Sequence, residues 1–214
     1  GLKMLGVTHL ISVGAVGSLR EEIEPGHMVF PNQFIDLTRD RKSTFFGNGV
    51  VGHVQFGNPV CSELSGKLVE AAKTVGATMH VGGTYICMEG PAFSSRAESL
   101  LYRSWGADVI GMTNVQEAKL AREAEMAFAS IALATDYDCW HVSESEVSVE
   151  DIIKVMHANV ETARQILVET LRKISPDFPN SQADALKFSI ITDKSKISKT
   201  TCRDLDLILG RYLD

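Results

Sequence analysis

Cysteine is scarce in this chain of 214 residues, and the four present (Cys61, Cys87, Cys139 and Cys202) stand far apart. No C-x-x-C and no Cys/His ligand pair occurs, which disfavours a zinc site and a disulfide-stapled scaffold. Buried, reduced thiols are expected instead. No run of 18 apolar residues exists, so no segment reads as a membrane-spanning helix. Basic clusters are missing too. The net charge is −6 and the Lys and Arg residues are dispersed, which argues against an electrostatic footprint for nucleic acid. G-x-G-x-x-G, the P-loop, internal repeats and low-complexity tracts are all absent.

What remains is ordinary globular composition, with 44% hydrophobic and 22% charged residues, in a length that suits one good-sized domain. Strand-like runs cover residues 8–13, 27–35, 78–88, 107–112 and 127–135. Ser62–Val75 is amphipathic and stops at Gly76. Ser95-Arg96-Ala97-Glu98 reads as a capping box, and so does Thr113-Asn114-Val115-Gln116. A long helix is expected over 148–173, capped by Ser148. Alternating strands and helices predict an α/β fold, a three-layer α/β/α sandwich with a central mixed, largely parallel sheet. Residues 175–183 read as a linker, separating a main domain (1–180) from a C-terminal arm and helix (181–214) that docks on the domain or on a neighbouring subunit. Residues 1–6 read as the end of a helix stopped by Gly6, so the chain is expected to begin inside a larger domain.

Four strand ends carry candidate chemistry. Gly14-Ala15-Val16-Gly17-Ser18 follows the first strand and allows close backbone approach to an anion or a sugar, or simply makes a tight turn. At Met88-Glu89-Gly90-Pro91-Ala92-Phe93-Ser94 a strand ends before a capped helix, offering an aromatic face and a hydroxyl. Gly111-Met112-Thr113 ends another strand at a helix N-terminus, where free N–H groups and a hydroxyl suit an oxyanion. A fourth strand runs out in Ala134-Thr135-Asp136-Tyr137-Asp138. Two carboxylates there fit a metal pair, the D-x-D of haloacid-dehalogenase-type phosphatases, or acid–base work. Trp140 stands where the phosphatase motif wants Thr or Val, so that reading carries little weight.

The segments GSLREEIEPG (17–26), QFIDLT (33–38), EGPAFSSRAES (89–99), WGADVIGMT (105–113) and ATDYDCW (134–140) resemble the nucleoside phosphorylase superfamily. More narrowly, they resemble its 5′-methylthioadenosine phosphorylases, of the trimeric purine nucleoside phosphorylase type. The resemblance implies reversible phosphorolysis of 5′-methylthioadenosine to adenine and 5-methylthioribose 1-phosphate, with phosphate as co-substrate and neither a metal nor any other cofactor. It implies phosphate contacts at Thr113 and Gly14, where relatives usually carry Ser or Thr, and at the backbone near Ala15. Met112 would pack on the sugar, Phe93 would stack on the base and Ser94 would give it a polar contact. Asp136 would share a proton with purine N7 as catalytic acid, with Asp138 beside it. Two adjacent carboxylates predict one raised pKa, expected at Asp136. A carboxylate there also favours a 6-amino over a 6-oxo purine.

Val149, Ile152 and Ile153 would receive the methylthio group in place of the His of hydroxyl-selecting relatives. His53 and Ile191 would serve a neighbouring subunit, implying a homotrimer. The implied partners are small molecules and further copies of the chain, with no nucleic acid or membrane, and a cytoplasmic location is expected. Relatives begin with a strand, a Gly-rich phosphate loop and an Arg-His pair, none of which precedes Gly1. The alternatives are therefore a methylthioinosine or general purine nucleoside phosphorylase, or a catalytically impaired nucleoside-binding module.

Overall fold

The computed structural model describes residues 1–141 and 149–213, the side chains at 149, 151 and 152 excepted. Its strands are β1 (His9–Ser18), β2 (Met28–Phe30), β3 (Gln33–Asp36), β4 (Met79–Val81), β5 (Thr84–Cys87), β6 (Val109–Gly111) and β7 (Ala127–Tyr137). They form one mixed sheet in the order β3-β5-β6-β1-β7-β2-β4. Four pairings are parallel (β1–β7, β2–β4, β3–β5, β5–β6) and two antiparallel (β1–β6, β2–β7). The expected α/β architecture is present, with helices packed on both faces of the sheet.

Two expected strands divide. Between β2 and β3 stand Pro31 and Asn32, and Pro lacks the N–H that a continuing ladder needs. Between β4 and β5 stand Gly82 and Gly83, with φ of 87° and 103°, a conformation that costs glycine least. Each two-residue link spans about 7 Å at most, yet it joins strands on opposite flanks of the sheet order. The sheet must therefore curl until its flanks nearly meet. Gly82 N–H donating to Phe30 O (2.9 Å) and Asn32 N–H to Gly83 O (3.1 Å) close the corner.

β1 runs further than its apolar stretch. Gly14–Ser18, read as a turn after the strand, lies inside β1 and pairs with β7 across a register shift between Val16 and Gly17. β7 is buried continuously from Ala127 to Thr135, as a central strand covered on both faces should be.

Four main helices cover the sheet: α1 (Ser62–Thr74), α2 (Arg96–Ser104), α3 (Val115–Glu123) and α4 (Val149–Lys173). Leu64 and Leu68 of α1 and Ala163 and Ile166 of α4 interdigitate with Phe128 and Ile131 of β7. Each fully buried large side chain contributes about 1.5–3 kcal/mol. α2 opens on the expected capping box, Ser95 with Glu98, and packs Tyr102 against Ile86 and Ile110.

The expected C-terminal helix breaks at Leu205 into α5 (Lys199–Asp204) and α6 (Asp206–Leu213). Leu186 and Leu209 of this arm pack on Val50 and Phe46 of the same chain. Two of the four thiols, Cys61 and Cys87, are buried, whereas Cys139 and Cys202 are partly exposed. No described helix is long and apolar enough to cross a membrane.

Candidate active site

β1 acts as a ruler for the site. A Cβ placed on Gly14 would stand 3.4 Å from Thr113 Oγ1, and one on Gly17 would stand 3.4 Å from Asp138 Cβ. Gly17 also pairs with Asp136 across the β1–β7 ladder. Thr113 and Asp138 thus stand against the same strand, about three residues, or ~10 Å, apart along it. Gly14 is partly exposed and Ala15 exposed along this edge.

At one end stand the carboxylates. Asp136 is still in β7, and its Oδ1 accepts the Thr135 hydroxyl at 2.6 Å. Burial pushes its carboxyl above the usual range, the Thr135 bond opposes this, and the Asp138 charge adds a smaller upward push. The expectation placed the raised value on Asp136 but made Asp138 the cause; desolvation is the larger one. Asp138 follows the strand, with its N–H donating to Ser18 O at 2.9 Å. It is 9% exposed, and its Oδ2 is buried with no protein hydrogen-bond partner. A buried acceptor without a donor costs about 1–3 kcal/mol, so a ligand N–H arriving there would gain a desolvated partner.

The connection after β5 closes over this end. Ser94 donates its hydroxyl to Met88 Sδ at 3.8 Å and accepts the Cys139 thiol on its carbonyl at 3.2 Å. Arg96 Nε donates to Cys139 O at 3.2 Å. Phe93 is 83% exposed, its ring free to receive a flat ligand. Met112 is drawn to the same connection, because a Cβ on Gly90 would fall 2.6 Å from Met112 Sδ.

At the other end is Thr113. The capping box expected over 113–116 does not form. Asn114 is the N-cap of α3, with φ 86° and no side-chain cap bond. Gln116 instead donates its Nε2 to Thr38 Oγ1 at 2.6 Å. The exposed Thr113 side chain therefore faces the Gly14 backbone rather than serving its own helix. Behind it, the Tyr85 hydroxyl is buried beside Thr113 and Asn114, and burial raises its pKa. A Cβ on Gly111 would overlap that hydroxyl.

The other predicted contacts stand on further elements. Ile153 is 42% exposed on α4, while the side chains of Val149 and Ile152, and the Ser148 cap, lie outside the described residues. His53 is exposed in the long segment between β3 and α1 and lines a concavity of about 320 Å³ with Gln55, Arg122 and Phe188. Arg122 lies about 13 Å along α3 from Thr113. His53 N–H donates to Ser189 O (2.8 Å) and Ile191 N–H to Val51 O (2.9 Å), so both residues occupy one face with the arm. Among the described residues, no group of three or more His, Cys, Asp or Glu side chains converges as a metal site.

Sequence reasoning missed Arg41 and Glu89. Arg41 stands in the charged run Arg39-Asp40-Arg41-Lys42, which carries no recognisable motif. Its guanidinium reaches Met88 O, Glu89 O, Met112 O, Gln116 Oε1 and Glu89 Oε1. Nothing local in the sequence marks it.

Both the sequence and the fold match known proteins. Residues 1–172 match the model of the Phosphorylase superfamily. An S-methyl-5′-thioadenosine phosphorylase of Geobacter sulfurreducens is 59% identical over 214 residues, covering 100% of this chain and 75% of the relative. One from Gloeobacter violaceus is 53% identical over 218 residues, covering 99% and 72%. The crystal structure of a methylthioadenosine phosphorylase from an antarctic soil metagenomic library superposes with a TM-score of 0.92 at 43% identity, covering 97% of this chain and 74% of that one.

Proposed function

From the premise that the chain belongs to the phosphorylase superfamily, we propose that it catalyses the reversible phosphorolysis of 5′-methylthioadenosine to adenine and 5-methylthioribose 1-phosphate. The relatives and neighbouring structures bear that activity in their names. The observation that supports it most directly is the carboxylate end of the cleft: a raised Asp136 beside a buried, unpartnered Asp138 oxygen.

Phosphate, held by Thr113 and the Gly14–Ala15 backbone, attacks the anomeric carbon. A phosphate oxygen–carbon bond forms as the bond from that carbon to purine N9 breaks, and the electron pair of the broken bond passes into the base. N7 becomes basic, and Asp136, its carboxyl pushed upward by burial, supplies the proton, a contribution of roughly 10²–10⁴ in rate. Asp138 accepts the 6-amino N–H. Met112 packs its polarisable thioether on the sugar, while Phe93 stacks on the base and Ser94 adds a polar contact. Ile153, with Val149 and Ile152, receives the methylthio group. Phosphate is a co-substrate, and no metal or other cofactor takes part. His53 and Ile191, exposed together beside the arm, complete a neighbouring subunit's site in a homotrimer working in the cytoplasm.

The test is adenine release from methylthioadenosine with and without phosphate, measured against inosine. Phosphate-dependent release with methylthioadenosine preferred supports the reading. Preference for inosine, or binding of nucleoside without turnover at saturating phosphate, overturns it.

A further inference from the structure

We propose that Arg41 is a positioning residue for the phosphate and sugar end of the cleft, acting through the peptide that joins Met112 to Thr113. The inference rests on the placement of phosphate at Thr113 given above.

Arg41 belongs to neither a helix nor a strand, yet it is the most heavily bonded side chain near the strand ends. All five of its N–H groups have acceptors: Glu89 Oε1 at 3.2 Å, Glu89 O at 2.6 Å, Met88 O at 3.3 Å, Gln116 Oε1 at 3.4 Å, and Met112 O. Three of these are main-chain carbonyls just beyond the carboxyl ends of β5 and β6. Carbonyls at strand ends lack a ladder partner, and leaving them buried and unpaired would cost free energy. One guanidinium answers all three, and its planar fork makes that possible where an ammonium could not.

Two consequences follow. First, the Met112 carbonyl and the Thr113 N–H belong to one peptide. A charge-assisted bond to the carbonyl is roughly twice as strong as a neutral one and anchors the peptide, whose N–H lies against the buried Tyr85 hydroxyl, so the Thr113 side chain is held facing Gly14. The Arg41 charge reaches β5 as well, where it pulls the Cys87 thiol down against the upward push of burial. Second, Met88, Glu89 and Met112 are held to one rigid group, which keeps Gly90 against Met112 Sδ and so sets the thioether over the cleft. Glu89 completes the clamp by accepting the Arg39 N–H at 2.7 Å. Arg41 touches no reacting atom; it fixes two residues that do.

The test compares R41Q and R41K with the wild type in phosphate binding by calorimetry, adenine binding, steady-state kinetics and Tm. R41Q is expected to raise both Kd and KM for phosphate about tenfold while adenine affinity changes less than about twofold; Tm falls as the strand-end carbonyls lose their donor, and binding is compared at a temperature where both proteins are folded. R41K, which keeps the charge but not the fork, should lie between. Phosphate affinity unchanged in R41Q overturns the proposal, as does equal weakening toward adenine and phosphate. A wild-type protein that binds no phosphate overturns it too. Should R41Q fail to fold, an R41K with wild-type phosphate affinity decides against it. A wild type that binds phosphate but releases no adenine defeats the proposed reaction, while the ratio of phosphate affinities still decides the role of Arg41.

Discussion

Asp136 shows how much one strand position can decide. Adjacent carboxylates suggested mutual repulsion, but the last turn of a fully covered strand desolvates Asp136 before Asp138 repels it. The raised carboxyl means the folded protein keeps a proton that the unfolded chain gives up above about pH 4. Stability therefore falls as pH rises from that ordinary value through the raised one. Asp136→Asn, neutral at every pH, should flatten this slope in urea titrations between pH 4 and 8. The same substitution should lower kcat by roughly 10²–10⁴ with a much smaller effect on nucleoside affinity; an unchanged kcat would remove Asp136 from the acid role. Gly111 makes a different demand. Gly111→Ala places a methyl on the Tyr85 hydroxyl and should cost about 1–3 kcal/mol by overpacking, read as a drop in Tm.

The element that carries most of the unexpected chemistry is the irregular segment between β3 and α1. It has no ladder of its own beyond the isolated Gly52–Ile190 bridge, so side chains hold it. Arg41 ties its start to the strand ends. Glu123, 5% exposed, accepts the Thr44 hydroxyl at 2.7 Å and the Phe45 N–H at 2.6 Å. Arg122 donates to Gln55 O and Asn58 O. Two successive residues at the end of α3 thus pin two points of one loop. Glu123→Ala leaves the Phe45 N–H without its partner and should cost about 1–3 kcal/mol. Hydrogen exchange should speed up across residues 43–58 while β7 stays protected. Uniform loss of protection across the sheet would contradict this division.

Over the whole molecule, one carboxylate beside the sheet gathers several bonds from the C-terminal arm. Glu125, with φ 56° just before β7, accepts the Leu186 N–H at 3.0 Å, the Tyr212 hydroxyl, and Arg211 at 2.7 Å. Burial first, and Glu125 second, push the Tyr212 phenol up to about 12, so it stays a donor throughout the neutral range. Glu125→Ala should cost about 2–3 kcal/mol and open residues 181–213 to limited proteolysis while the sheet stays folded. In the proposed homotrimer, where Ile191 and His53 serve a neighbouring subunit, the variant should also weaken self-association in sedimentation; an unchanged assembly would separate the arm from that proposed contact.

The sequence alone determined the α/β class, the position of β7, the α2 capping box and the chemical kinds gathered at the strand ends. These follow from periodicity, capping residues and local runs, which act over a few residues. Only the tertiary structure decided where β1 ends, because Gly14–Ser18 is strand solely by virtue of its ladder with β7. The curl of the sheet also depended on it, since Pro31-Asn32 and Gly82-Gly83 look like ordinary turns until the strands they join prove to lie on opposite flanks. Arg41 was illegible for the same reason. Its acceptors lie 47, 48, 71 and 75 residues away along the chain, and a bond that depends on chain closure leaves no mark in the local pattern.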